Sequence, residues 1–555
     1  MKNVWIKNNR FYFYAAWLLL SFIQAFFTPI QDDEAYYWVY SKYLAWGYFD
    51  HPPMIALLIR WGSWLFPKEL GVRILPVLLN TGMLVLTEKL IDRCNVLIYF
   101  TICCSVVVLQ LAGFWAVPDN PLMFFTALFF LCYRNFLRRD SWLNTFLLGL
   151  AASCLLYSKY HGLLVLLFTL FSHPGLFRKK STYIAGVIAF LLFLPHLWWQ
   201  YQHDWISFRF QLFENKAHPY QLSFTLDYLF GQLLVAGPLA GIILLVSTFA
   251  YRPANLLERA LKFTVIGFFI FFFLSTLRGE VEANWTAPAI IPMLVLTHQY
   301  LQTRTKWRRW LYRLLPITIT LVFFARVAMI VDLLPVPAIV ERFHAWEKWP
   351  QLLKEKTKGL PVVFNNSYQR ASQYWFHTGK MAYSLNSYQE RRNNYNFWPT
   401  EDSLLGRPVY DLDIYGVDKY PDSIQATLWN VGFRYDSSFH SFAKIQVRTD
   451  RTFCRVPSGD SCTIRLLAAI PSYYQMYLEA HPEVDEPVKI GIFREQTWTK
   501  DVPCNLTLRQ LLLHPAQQID LVPELPKGTY FFEFAIGTDT PFFTHNSNKI
   551  RLEVE

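Results

Sequence analysis

Nucleotide-binding loops are missing from this 555-residue chain. Neither a Walker loop nor a glycine-rich dinucleotide fingerprint occurs, which argues against an ATP-driven pump and a cytoplasmic nucleotide-sugar synthase. No His/Cys cluster has metal-ligand spacing. His51 and His161 stand alone, so no cofactor is expected, although Asp50 or nearby Glu residues leave a divalent metal as the lesser alternative. Charge is scarce, at 17% of residues. No basic patch interleaved with aromatics stands free, so the net charge of +11 does not imply nucleic acid. After the first apolar run, Phe11 to Ile30, no small-x-small cleavage site follows. That run, preceded by Lys2, Lys7 and Arg10, therefore reads as a first span rather than a signal peptide. Beyond about residue 340, runs long enough to cross a bilayer stop.

What is abundant is apolar surface: 53% hydrophobic and 18% aromatic residues, too much for an ordinary soluble protein. The excess lies before about residue 330. We expect a membrane domain over residues 1–335, a mixed α/β region over 336–435 and a β-sandwich-like domain over 436–555. About eleven spans are predicted, near 11–30, 70–90, 95–114, 119–137, 142–158, 160–172, 181–199, 228–250, 260–277, 285–301 and 310–330. With the N-terminus inside, alternate loops are rich in Lys and Arg: Lys89/Arg93, Arg134/Arg138/Arg139, Arg178/Lys179/Lys180, Arg252/Arg259 and Arg304/Lys306/Arg308/Arg309. An odd number of spans then places the C-terminal portion outside.

The remaining loops carry the chemistry, all on the other side. The first contains Asp32-Asp33-Glu34, then Tyr48-Phe49-Asp50-His51-Pro52-Pro53, with interfacial helices expected from Ala35 to Trp46 and from Met54 to Leu65. A carboxylate there has the chemistry of a general base, and an anchored amphipathic loop explains the same residues equally well. Asp119 follows Pro118, where capping the next helix is an equal alternative to a site role. Lys159-Tyr160-His161 interrupts an apolar stretch outside, against the positive-inside trend, and reads as a phosphate partner. Arg278, Glu280, Glu282, Asn284 and Trp285 form another outer loop in which Arg278 either pairs with a neighbouring carboxylate or holds a phosphate oxygen. Arg73, just inside the second span, should face protein rather than lipid.

Taken together, these motifs resemble the GT-C superfamily of polyprenyl-phosphate-sugar glycosyltransferases over about residues 10–330. The likeness is to family 39, which includes protein O-mannosyltransferases, and to lipid A aminoarabinose transferases. Asp33-Glu34 matches the first-loop Asp-Glu pair, Tyr48 to Pro53 the Tyr-Phe-acidic-basic-Pro-Pro segment, and Pro118-Asp119 the second-loop Asp. Ser158 to Gly162 matches the Lys before the sixth span, and Arg278 to Pro288 the Arg-x-Glu-x-Asn-Trp loop. The resemblance implies an inverting transferase of the inner membrane with a periplasmic active site. Its donor is a polyprenyl-phosphate-linked sugar, its acceptor a protein, lipid A or a glycolipid, and its surroundings membrane lipids. It makes Asp33 the base, Lys159 and Arg278 the phosphate clamp, and Glu34 and Asp119 the shapers of the pocket. Asp32, Tyr48, Asp50, His51, Arg73, Tyr160, His161, Glu280, Glu282, Asn284 and Trp285 are the further substrate-binding candidates. One departure is His51, where the aminoarabinose transferases have Lys. The alternative reading is a transporter or flippase of a lipid-linked glycan, which would place polar groups near mid-span and repeat its halves.

In the C-terminal portion, Phe442–Val447, Lys489–Phe493, Gly528–Ile536 and Lys549–Val554 alternate as strands do. Cys454 and Cys462 flank Pro457-Ser458-Gly459, so a local disulfide is expected if this part faces an oxidising compartment, with Cys504 left over. Cys94, Cys103, Cys104, Cys132 and Cys154 lie in or beside apolar runs and read as buried apolar residues.

Overall fold

Apolar runs and their punctuation set the helices of the N-terminal unit, Met1–His344. The computed structural model describes residues 2–214, 219–333, 336–345, 349–426, 429–457, 459–494 and 497–555. Its first sixteen α-helices are α1 (Lys2–Phe27), α2 (Asp32–Lys42), α3 (Met54–Leu65), α4 (Lys68–Lys89), α5 (Val96–Ser105), α6 (Val107–Leu111), α7 (Asp119–Arg138) and α8 (Trp142–Ser158), continuing as follows. They are α9 (Gly162–Ser172), α10 (Lys180–Gln202), α11 (Ile206–Arg209), α12 (Leu222–Ala236), α13 (Gly241–Ala250), α14 (Leu256–Ser275), α15 (Ile290–Thr303) and α16 (Thr305–Ile330). Asn95, Ser141 and Asn255 cap α5, α8 and α14 by accepting backbone N–H bonds from Ile98, Asn144 and Glu258.

Each of the predicted apolar runs falls on helix, but several are short or broken. Four described helices are long and apolar enough to cross a membrane, in α1, α4, α10 and α16. A fifth arises if α12 and α13, bent by 95°, count as one span. Gly237 makes that bend: its φ of +123° suits glycine, and a Cβ there would lie 2.5 Å from the Ser105 carbonyl oxygen. The outer helices turn apolar side chains outward, with only 22% of the apolar window of α16 buried, as suits contact with lipid.

The C-terminal unit, Ala345–Glu555, is rich in sheet. Strands β1 (Val362–Asn365), β2 (Ala382–Leu385), β3 (Val409–Asp413), β4 (Asp422–Gln425) and β5 (Asn430–Asp436) form a sheet of order β2-β1-β3-β5-β4. Its first three strands are parallel and the rest antiparallel. Two further sheets follow. One joins β7 (Phe453–Val456), β9 (Pro487–Arg494), β10 (Thr497–Thr507), β12 (Gly528–Gly537), β13 (Phe543–His545) and β14 (Ile550–Val554). The other joins β6 (Gln446–Thr449), β8 (Cys462–Ala469) and β11 (Ala516–Leu521). Ile490, Phe532 and Leu552 of the first share one core with Val447, Ile464 and Leu521 of the second, so the pair packs as a sandwich.

Strand prediction erred at Phe442–Val447, where the strand begins only at Gln446. Phe442 and Ile445 are buried from a loop, and core burial rather than pairing explains their spacing. Cys454 and Cys462 are buried neighbours with Sγ atoms 2.6 Å apart. Ser458, in the turn invoked to bring them together, lies outside the described residues.

Candidate active site

Side-chain contacts divide the N-terminal helices into two ends. At one end Arg10 of α1 pairs with Glu88 of α4 at 2.5 Å, Arg138 of α7 with Asp92 at 2.8 Å, and Ser181 of α10 with Asp140 at 2.9 Å. These lie beside the Lys/Arg-rich loops. The opposite ends of the same helices carry the predicted site.

That site is built around a wholly buried ion pair. Arg73 projects from the first turns of α4, and Glu34 from the first turn of α2. Arg73 Nε donates to Glu34 Oε1 at 2.8 Å, and Nη2 donates to Oε2. The same guanidinium satisfies carbonyls left over at the end of α1: Thr28 at 2.5 Å, Pro29 at 2.9 Å and Ala25 at 3.2 Å. Glu34 also accepts the N–H of Gln31 at 3.2 Å and that of Ala116 at 2.9 Å. One pair thus ties the end of α1, the start of α2 and the loop that leads into α7. Arg73 faces protein, as its cost in lipid predicts.

Asp119 is the first residue of α7, with Pro118 in the capping position. Its carboxylate makes no cap. It accepts from Lys159 Nζ at 2.8 and 3.0 Å and from Asn284 Nδ2 at 3.1 Å. Three separate loops therefore meet on one carboxylate. Asp119 and Lys159 are buried, and pairing rather than snorkelling settles the lysine.

The aromatic first loop folds onto itself. Tyr48 hydroxyl donates to the Tyr40 and Tyr43 carbonyls at 3.1 Å each, and its ring stacks on Tyr40 at 4.1 Å. Tyr40 hydroxyl donates to buried Asp50 at 3.2 Å. His51 packs edge-on to Tyr37 at 5.7 Å, and His161 lies between Phe272 and Trp285 at 5.2 and 5.8 Å. Trp46 of the first loop packs against Tyr157, two residues before Lys159, with ring centroids 6.3 Å apart. The first loop and the Lys159 segment thus border one region. Asp32 is half-buried, while Asp33, Arg278, Glu280, Glu282 and Asn284 are exposed. Arg278 sits 5.8 Å over the Phe213 ring.

Sequence reasoning missed the residues that hold this loop. Buried His196 of α10 contacts the Trp46 carbonyl through Nδ1 at 2.7 Å and the Tyr160 hydroxyl through Nε2 at 3.1 Å. Gln200 donates to Tyr160 at 3.0 Å and to Ser207 at 2.6 Å, and Ser207 donates to the Tyr48 carbonyl at 2.7 Å. Gln211 donates to the Asp50 carbonyl at 2.8 Å. The signal was present: His196 and Gln200 are polar residues one turn apart in an otherwise apolar run. Among the described residues, no group of three or more His, Cys, Asp or Glu is placed to hold a metal ion.

Comparisons with known proteins bear on this end of the molecule. Residues 50–199 match the family model for dolichyl-phosphate-mannose-protein mannosyltransferase. That segment includes Asp119, Lys159 and His196 but neither Asp33 nor Arg278. Lipid A galacturonosyltransferase RgtD of Rhizobium johnstonii is 25% identical over 289 residues, 48% of this chain. The match spans 60% of that protein's length. ArnT of Cupriavidus metallidurans, solved bound to undecaprenyl phosphate and in the apo state, superposes with a TM-score of 0.57 at 12% identity. Each superposition covers 77% of this chain and 98% of ArnT. The chain is a multi-pass membrane protein with an ArnT-like fold, and it resembles the GT-C glycosyltransferases, the mannosyltransferase branch and ArnT among them.

Proposed function

We propose that this chain is an integral-membrane glycosyltransferase that moves a sugar from a polyprenyl-phosphate carrier to an acceptor hydroxyl, with inversion. The observation that carries the reading is the meeting of Asp119, Lys159 and Asn284 from three loops, beside the first turn of α2 that the Arg73–Glu34 pair pins. Charge at helix ends rather than mid-span favours a transferase over a transporter. With the Lys/Arg-rich loops inside and an odd number of spans, near eleven, the active loops and the C-terminal unit face the periplasm. The name of the galacturonosyltransferase relative favours a lipid acceptor of the lipid A kind.

Asp33 is exposed at the start of α2 and takes the acceptor proton. The acceptor oxygen then bonds to the anomeric carbon as the carbon–oxygen bond to the carrier phosphate breaks, its electron pair leaving on the phosphate. Exposed Arg278 meets that charge with two donors. Lys159 starts bound to Asp119, so an arriving phosphate competes with a carboxylate for its ammonium, and Asn284 keeps Asp119 in place. Glu34 and Arg73, fully occupied by each other and the backbone, position Asp33 rather than touch substrate.

The test is Asp33→Asn in purified protein, assayed with a polyprenyl-phosphate sugar and mass-spectrometric detection of the glycosylated lipid. A positioned base contributes about 10²–10⁴-fold, so transfer should fall below about a tenth while donor still binds. Transfer at the parent rate removes Asp33 as the base. Lipid mass spectrometry of cells with and without the gene names the sugar.

A further inference from the structure

A cavity of about 220 Å³ opens inside the C-terminal unit. It lies at the carboxyl ends of the parallel strands. β1 is flanked by β2 on one side and β3 on the other, so the chain leaves this pair of neighbours in opposite directions. Such a switch point leaves a crevice past the strand ends, the usual ligand position in an open α/β sheet. Asp411 and Asp413 at the end of β3, and Ser387 to Gln389 just after β2, line it. The sandwich supplies the facing wall with Lys489, Asp501 and Phe543.

The lining is polar but balanced. Its carboxylates are Asp411, Asp413 and Asp501, and its cations are Lys419, Arg434 and Lys489, three against three. Asp411 is fully buried and accepts from Asn365 at 2.6 Å, Tyr420 at 3.1 Å and Arg434 at 3.2 Å. Burial pushes its carboxyl up to about 6 despite the Arg434 charge. Across the cavity Lys489 lies 3.5 Å from Asp501 and 3.9 Å over the Phe543 ring. Tyr388 hydroxyl donates to the same Asp501.

A phosphate or other anion would enter with no surplus cation to receive it, and an unpaired charge is costly to desolvate. A purely apolar ligand would strip water from the exposed Lys419 and the partly exposed Arg434, Lys489 and Asp501 and replace none of its hydrogen bonds. What matches is a neutral ring with many hydroxyls, each able to donate to a carboxylate and accept from a cation, with an apolar face for the partly exposed Phe542 or Phe543. At about 30 Å³ per water, the volume replaces roughly seven waters, room for a single ring. We propose that this cavity binds one neutral sugar ring of a glycan, separate from the transfer site.

The test uses the full chain in detergent without donor, titrated with galactose, glucose, mannose and N-acetylglucosamine and followed by saturation-transfer NMR. Galacturonate and glucosamine serve as charged probes. At least one neutral sugar should bind, and Asp501→Asn, a partly exposed position, should weaken it by about tenfold. Lys419→Ala, on an exposed side chain, gives a second variant if the first melts early, and it should also weaken binding. Absence of neutral-sugar binding, binding of the charged probes alone, or binding untouched in both variants overturns the proposal. A chain that transfers sugar yet binds none here refutes this inference alone. A chain that binds but never transfers refutes only the transferase reading.

Discussion

Replacing Glu34 by Gln should destabilise the protein, because Arg73 would keep its charge and lose its counter-charge in a fully buried site. Breaking such a pair from one side costs about 3–5 kcal/mol. Arg73→Met should cost a similar amount, now by stranding the carboxylate. The double variant removes both charges, and exchanging a whole buried pair for neutral side chains is often close to neutral. It still loses the guanidinium bonds to the carbonyls of Ala25, Thr28 and Pro29, at about 1 kcal/mol each. The double variant should therefore lie about 3 kcal/mol below the parent, well short of the summed singles, which come to roughly 6–10 kcal/mol. Unfolding of the full chain in detergent, titrated with denaturant and followed by tryptophan fluorescence, measures all four corners. A Glu34→Gln chain as stable as the parent, or singles that simply add, would refute the pair as the anchor of the α2 turn.

Cys454 and Cys462, adjacent and buried, should form a bridge in a periplasmic unit. Non-reducing alkylation of cells that labels both thiols would contradict that placement. Lys159→Met should weaken donor binding about tenfold, whereas Asp119→Asn, which removes the carboxylate that competes for the Lys159 ammonium, should tighten it. A loss of donor affinity in Asp119→Asn as large as that in Lys159→Met would argue against that competition. Asp539, facing Asp436, has its carboxyl raised by burial from 3.8 to about 9. A raised carboxyl binds its proton more tightly when folded, so its stabilisation is full below about pH 4 and fades as pH climbs towards about 9. The melting temperature of Asp539→Asn should fall less over that range than the parent's, and parallel curves would count against it.

Much of this was legible in the chain because the signals are local. Pro52-Pro53 and Pro67 bracket an apolar run, and α3 occupies Met54–Leu65 as predicted. The apolar runs located the helices, but not the breaks near Val106 and Gly237, which depend on neighbours packed from far along the chain. Arg73 was placed against protein from its cost in lipid alone. Its partner was not legible, for Glu34 lies 39 residues away and looks like its neighbours Asp32 and Asp33. Pro-Asp before a helix reads equally as a cap or a site, and only the fold shows the Asp119 carboxylate bonded to Lys159 and Asn284. The cavity beside Asp411 left no trace in the sequence, since its walls come from strands as distant as β3 and β10.

Helix geometry explains why three consecutive carboxylates have different prospects. Successive residues on α2 turn by about 100°, so Asp32, Asp33 and Glu34 cannot share one face. Glu34 turns inward to Arg73 and the Ala116 N–H, with no exposed oxygen left for an acceptor. Asp32 is half-buried between the two faces. Asp33 alone of the three is exposed, at the end of the helices where Arg278 is exposed too. On the proposed reading Asp33, as base, must meet a bulky acceptor before transfer, and Arg278, as phosphate clamp, must meet a carrier. Both tasks need reach more than burial. The buried residues do the complementary work: the Arg73–Glu34 pair and the contacts of Asp119 with Lys159 and Asn284 tie the loops together, and the first of them fixes the turn of α2 that carries Asp33.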